Sequence, residues 1–362
     1  MKTVKREQVL VFRAARHGLA AREADNLVEA AACPASDFAR DGALMALAAR
    51  TDSLTRESFD RATDAGELVL GFNLRGAIHA IPPPDLALYG PALVSDEDDE
   101  LAEQLGPGAK GHLAEVKVPA GEALDEVTEA TRAALKERGP LAKDDLHEEL
   151  RSRVRDELLP WCKGCRSNHV APMIWRYALV RLGTRCDSQR RHRLAKPGRR
   201  RRPEEAVRRF LSFYGPATVK DFTAWAGLAR AHARRLWEPV ERELVKVDGA
   251  WLLAEDEAEL ASPPQARGTR LLPERDPYLQ HPDRAALAPD AELRKRLFRP
   301  VAGPGAVLED GRLVGLWRAR AKGKRLEFEV EPLTRVKKKP LQAETERLAE
   351  LRGKEAALVT GL

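Results

Sequence analysis

Several groups of side chains in this 362-residue chain could do chemistry. Cys162, Cys165 and His169 follow a Cys-x2-Cys-x3-His pattern, the look of half a metal site, with Cys186 as a fourth candidate. A structural zinc takes four ligands, usually as two closely spaced pairs, and the second pair is missing. The reading adopted is therefore no metal, with small thiols packed near Trp161 and Trp175. Cationic groups are more numerous. Arg230, Arg234 and Arg235 fall on the outward face of a helix, and Arg190, Arg191, Arg193, Lys196 and the run Arg199, Arg200, Arg201, Arg202 crowd one basic stretch. Arg318, Arg320, Lys322, Lys324 and Arg325 surround a turn at Lys322-Gly323. Clustered cations suit a nucleic-acid backbone, because binding to phosphates releases condensed counterions. A solvated face or linker explains such clusters too, and both readings stay open. Arg75 and His79 either touch phosphate or an extruded nucleotide, or brace the hairpin that carries them. No Gly-rich phosphate loop, dinucleotide fingerprint, His-Glu-x-x-His or nucleophile elbow occurs, so no cofactor and no nucleotide-dependent chemistry is expected.

The elements that must position these groups are clearest between Ala206 and Leu253. Val207, Phe210, Leu211 and Tyr214 recur at helical spacing, and Gly215-Pro216 ends that helix. Thr218 with Asp221 makes a capping box for a second helix over Val219–Ala226, and Gly227 supplies a tight turn. A third helix buries Ala229, Ala233, Leu236 and Val240 and turns its arginines outward. Leu244–Val247 and Ala250–Leu253 flank Asp248-Gly249, the strongest short hairpin signal, since both turn residues must tolerate positive φ. Three helices and a hairpin in this order make a winged helix. Leu135, Gly139, Pro140, Asp145 and Leu146 repeat the spacing of Leu211, Gly215, Pro216, Asp221 and Phe222, which marks a second module at 120–198. The alternating Gly66–Ile81 segment reads as the strand pair of a first module.

The whole chain then reads as mainly α with small β-sheets, an α+β protein. Winged-helix modules are expected at 1–94, 120–198 and 199–262, with an acidic Gly/Pro linker at 95–119. The remainder, 263–362, reads as a β-rich, barrel-like segment with strands near 270–272, 306–308, 312–317 and 326–331 and a helix at 343–351. Length alone suggests two to four domains. The net charge of +6 favours an anionic partner, and four cysteines argue against a disulfide framework. The longest apolar runs are too short for a membrane span and the N-terminus lacks a signal-peptide core, so a cytoplasmic protein with no membrane partner is expected.

Five motifs in order resemble a known family. Ala43–Arg50 (ALMALAAR), Arg75–His79 (RGAIH) with Pro83–Tyr89 (PPDLALY), Gly215–Leu228 (GPATVKDFTAWAGL), Leu271–Leu279 (LLPERDPYL) and Gly311–Arg318 (GRLVGLWR) carry the resemblance. The family is the bacterial winged-helix DNA-binding-domain family that includes crosslink- and alkylpurine-repair DNA glycosylases. The resemblance implies three tandem winged helices plus a β-barrel-like part, cupping double-stranded DNA in a channel. Active members are implied to carry Gln-x-Gln or Gln-x-Asp just before the ALMALAAR-like helix, to activate the water that attacks C1′. Here the segment reads Cys33-Pro34-Ala35-Ser36-Asp37, with Pro34 and Ser36 at the two Gln positions. Ser36 and Asp37 are the candidate catalytic residues, though the first reading of Asp37 is a helix cap before Phe38–Arg50. The expected function is duplex-DNA binding as a repair-glycosylase relative, with a non-catalytic regulator or lesion-sequestering resistance protein as the alternative. A protein-binding scaffold is the weaker third. No dimerisation helix or heptad seam is evident, so a monomer is expected.

Overall fold

The computed structural model describes residues 4–22, 24, 26–39, 41–196 and 201–360. The chain begins with α1 (Arg6–Arg16), α2 (Leu27–Ala30), β1 (Ala35–Ser36), α3 (Gly42–Ala48), α4 (Arg56–Ala65), β2 (Val69–Asn73), β3 (Ala77–Ile81) and α5 (Leu86–Tyr89). Four longer helices, α6 (Asp98–Val116), α7 (Ala120–Arg138), α8 (Lys143–Arg151) and α9 (Pro172–Leu182), come next. The short strands β4 (Trp161–Cys162) and β5 (Ser167–Asn168) sit between α8 and α9, and β6 (Thr184–Cys186) and β7 (His192–Leu194) follow α9. The middle of the chain forms α10 (Glu205–Tyr214), α11 (Val219–Ala226), α12 (Arg230–Trp237), β8 (Leu244–Val247), β9 (Ala250–Leu253) and α13 (Glu257–Ala261). The last third holds β10 (Thr269–Leu272), α14 (Arg284–Leu287), α15 (Ala291–Leu297), β11 (Gly305–Glu309), β12 (Arg312–Lys322), β13 (Arg325–Pro332), α16 (Lys338–Leu351) and β14 (Glu355–Thr360). The fold class is α+β. Among the described residues no helix is long and apolar enough to cross a membrane.

Two compact units divide the chain. One comprises Met1–Phe59, Arg208–Asp221 and Arg242–Leu362. Its sheet has the order β10-β11-β12-β13-β14, antiparallel except for the parallel β13/β14 pair. Alternation sets one face: Leu326, Phe328 and Val330 are buried while Arg325 and Glu329 are exposed. The expected barrel is an open sheet with β10 and β14 at its edges. β14 was not foreseen, because a parallel partner is joined only through α16 and leaves no hairpin signal in the sequence. A second small core gathers Phe12, Val247, Leu252 and Leu260 around the β8/β9 hairpin, whose register pairs Val247 with Ala250.

The other unit comprises Asp60–Val207 and Phe222–Glu241. Its core interleaves Leu101, Leu105, Leu113, Leu124, Val127, Leu146, Ile174 and Leu179 from α6, α7, α8 and α9. The β2/β3 hairpin pairs Val69 with Ile81 and Asn73 with Ala77, and β2, β6 and β7 continue the same sheet. The 95–119 linker reading is corrected here: 98–116 is a helix. Leu101, Leu105, Ala109 and Leu113 form a buried stripe at four-residue spacing. Asp98, Asp99 and Glu100 sit in its first turn, where acid complements the helix dipole rather than signalling a loop. Gly106, at φ 82, absorbs the kink that Pro107 imposes.

Similar backbone bridges follow the two Gly-Pro turns. Two residues after Gly139, Leu141 exchanges both backbone bonds with His192 of β7 (3.0 and 2.7 Å). Two residues after Gly215, Ala217 does the same with Trp251 of β9 (2.8 and 2.8 Å). In both places the turn after the Gly-Pro is pinned to the second strand of a following hairpin. The capping box also forms: Thr218 N–H donates to the Asp221 carboxylate at 2.9 Å, and Asp221 N–H to Thr218 Oγ1 at 3.2 Å.

Candidate active-site segment and nucleic-acid interface

The segment at the catalytic-motif position is enclosed. Ala35 and Ser36 form β1, and Ser36 and Asp37 are both buried. The backbone N–H of Ala43 donates to Asp37 Oδ1 at 3.0 Å, so Asp37 holds the first turn of α3. The helix begins at Gly42, later than the expected Phe38, because the chain folds back on itself. A Cβ on Gly42 would stand 2.9 Å from the Ser36 carbonyl. Cys33 faces the Tyr214 hydroxyl at 3.7 Å, and burial pushes its thiol up to about 12, which makes it inert.

Behind α3 lies a buried ionic network that composition did not reveal. Arg50, at the end of the ALMALAAR motif, makes a two-pronged pair with Asp276 at 2.9 and 2.9 Å and donates to the carbonyl of His17 at 2.8 Å. Burial opposes its charge, and Asp276 more than restores it, holding the guanidinium above its ordinary range. Asp276 also accepts from Tyr278 N–H at 2.9 Å. Arg13 donates to the carbonyls of Tyr214 and Pro216 at 3.0 and 2.8 Å. His17 gives its Nδ1 proton to Arg13 O at 2.8 Å, while its Nε2 is buried without a partner. Burial, and then the charge of Arg50, push His17 down to about 3, so it is neutral. Three resemblance motifs thus meet in one polar core. A charge ending an apolar run, matched by Asp276 inside LLPERDPYL, was the available signal.

The cationic candidates separate by environment. Arg318, Arg320, Lys322, Lys324 and Arg325 are all exposed around the β12/β13 turn, where Lys322 pairs with Arg325 in register. Lys322 lies 3.4 Å from Glu327, and Arg318 donates to Ala302 O at 3.4 Å. Arg235 grips Glu100 of α6 through two bonds of 2.6 and 2.7 Å, and that ion pair holds Glu100 down to about 2. Arg234 reaches Glu238 at 3.3 Å, and Arg230 is exposed. Arg75 is exposed at the β2/β3 turn with φ 59. His79, on the same hairpin, is buried and pushed to about 3 by desolvation and then by Arg75; it is neutral and carries no charge toward a phosphate. Arg191 and Arg193 pair with Asp187 at 2.9 and 3.1 Å, which draws part of the basic stretch into local ion pairs. Arg199 and Arg200 lie outside the described residues.

Cys162, Cys165 and His169 come together, with ligand atoms all within 4.8 Å of one another. Cys186 does not join them; its Sγ lies 3.3 Å from His192 Nδ1. The reading of packed thiols is corrected, since Cys165 is exposed and Trp161 is 61% exposed. The β4/β5 turn carries these side chains outward from the core.

A family model described as "DNA glycosylase AlkZ-like" matches residues 34–351, and the chain belongs to that family. An "Interstrand DNA cross-link repair glycosylase" of Streptomyces sahachiroi is 27% identical over 301 residues, covering 75% of this chain and 76% of that protein. The solved Streptomyces sahachiroi DNA glycosylase AlkZ matches with a TM-score of 0.75 at 24% identity, over 99% of this chain and 100% of that one. This likeness shows a shared fold.

Proposed function

We propose that this chain binds duplex DNA as a repair-glycosylase relative, through the cationic β12/β13 hairpin. The observation that carries the reading is the hairpin itself. It sets five cations around one turn, all of them exposed, on strands long enough to project them from the sheet. Such a surface binds phosphates with a steep salt dependence. The three-module winged-helix reading is supported by the reciprocal bridges at Leu141/His192 and Ala217/Trp251, which tie a helix–turn–helix to its hairpin in each repeat. In the other unit, Arg230 and Arg75 are exposed cations available to phosphate, whereas Arg234 and Arg235 act first as ion-pair partners.

Base excision requires water to add at C1′ as the glycosidic bond breaks and the base leaves. Asp37 is the carboxylate of the motif segment and Ser36 its hydroxyl, and they are the residues on which such chemistry would rest. A second reading, binding without excision, is favoured by a specific observation. Pro34 has no side-chain donor or acceptor, Ser36 is buried, and Asp37 Oδ1 serves as the α3 cap.

One preparation tests both. Duplex binding is titrated against salt, and the protein is incubated with DNA carrying 7-methylguanine or an interstrand crosslink. Replacing Arg318, Arg320, Lys322 and Lys324 by Ala should flatten the log K against log salt slope by about 0.9 for each phosphate that is no longer neutralised. Unchanged affinity and slope would remove the hairpin from the interface. Base release abolished by Asp37→Asn in a variant that still binds DNA would establish excision; binding without release establishes the second reading.

A further inference from the structure

We propose that Cys162, Cys165, His169 and His147 form a zinc site that clamps the β4/β5 hairpin to α8. The Cys-x2-Cys turn is short enough to present both sulfurs to one ion. Cys162 pairs with Ser167 in register, and Arg166 N–H donates to Cys162 O at 2.8 Å, closing the turn. His169 sits at the end of this hairpin. Its Nδ1 proton is given to the Val170 carbonyl at 2.8 Å, which leaves the Nε2 lone pair as the ligand. A backbone acceptor behind a histidine is how ligating imidazoles are usually oriented.

The fourth position is where the sequence alone failed, because the partner is not a cysteine and lies upstream on another element. His147 of α8 is 8% exposed, and its Nδ1 is buried without a hydrogen-bond partner. Buried ring nitrogens are normally satisfied, so this orphan points to a missing ligand. The His147 and His169 ring centroids are 5.0 Å apart. Two imidazoles on one tetrahedral ion, with Zn–N of about 2.0–2.1 Å, place their centroids about 5 Å apart. His147 stands outside the set of atoms within 4.8 Å of one another, so the proposed site requires its ring to turn toward those three when the ion binds. Two thiolates and two imidazoles suit zinc. Magnesium and calcium want oxygen ligands, and iron–sulfur clusters commonly take four thiolates.

The full chain, purified under reducing conditions, should retain about one zinc per molecule, as a closed four-ligand site does. Cobalt(II) added to the metal-free chain should give thiolate charge-transfer bands and the intense d–d bands of a tetrahedral site. Cys165→Ser, at an exposed position that the core tolerates, should weaken cobalt binding at least tenfold and reduce the charge-transfer intensity. His147→Ala should shift the d–d bands and also weaken binding, while Cys186→Ala should leave both unchanged. The site is overturned if the wild-type chain holds no zinc and gives no charge-transfer bands, or if those bands survive Cys165→Ser unaltered. An unchanged spectrum in His147→Ala would remove His147 from the shell.

Discussion

At the scale of single residues, the buried Arg50–Asp276 pair is the feature with most at stake. Both groups have left water, and each is held by the other and by backbone groups. Replacing one partner strands the other as a buried charge, which costs about 3–5 kcal/mol. Asp276→Asn, which keeps the shape and removes the charge, should lower the urea midpoint accordingly, and a wild-type midpoint would show that solvent reaches the pair. His17 gives a pH-dependent outcome. Its folded pKa of about 3 lies below the ordinary 6.5, so the unfolded chain takes up a proton that the folded chain refuses. Stability therefore falls as pH drops from 6.5 toward 3, by up to about 1.4 kcal/mol per pH unit for this one group. His79 and His192 are depressed in the same direction and add to the slope. Urea unfolding across that range should show the His17→Gln chain losing less stability than wild type; parallel curves would mean that His17 titrates normally.

Among the elements, α11 and α12 turn on Gly227. It has φ 69, and a Cβ there would stand 2.5 Å from Cγ of Arg75. Gly227→Ala should therefore cost about 1–2 kcal/mol from the left-handed backbone alone, plus the displacement of Arg75, read as a lowered thermal midpoint. A neutral result would require Arg75 to swing away without cost. These same elements were legible in the sequence because their signals are local. The helix bounds Val219–Ala226 and the strands around Asp248-Gly249 follow from capping and turn chemistry within a few residues. α6 was misread for the opposite reason: Gly106-Pro107 and a leading acidic run imitate a linker. What overrides them is the buried stripe from Leu101 to Leu113, which packing against α7 and α9 makes worthwhile.

For the molecule as a whole, family membership makes action on DNA the frame within which its charge must be read. The monomer expected from the sequence is checked by light scattering, and binding to a short duplex should then add one protein per DNA at saturation; a dimer in the free state would overturn this. By itself the sequence determined the α+β class, the helix bounds of α11, the Asp248-Gly249 hairpin and the exposed cations at residues 318–325. Each of these depends on periodicity or turn chemistry along the chain. Tertiary structure alone decided which charged groups are spent inside. Arg50, Arg13 and Asp276 are buried, and Arg235 is bound to Glu100, because these interactions join residues far apart in sequence. It also gathered Cys162, Cys165 and His169 beside His147. The Cys-x2-Cys-x3-His spacing was legible in the sequence, but His147, on a separate helix upstream, has no one-dimensional spacing to betray it.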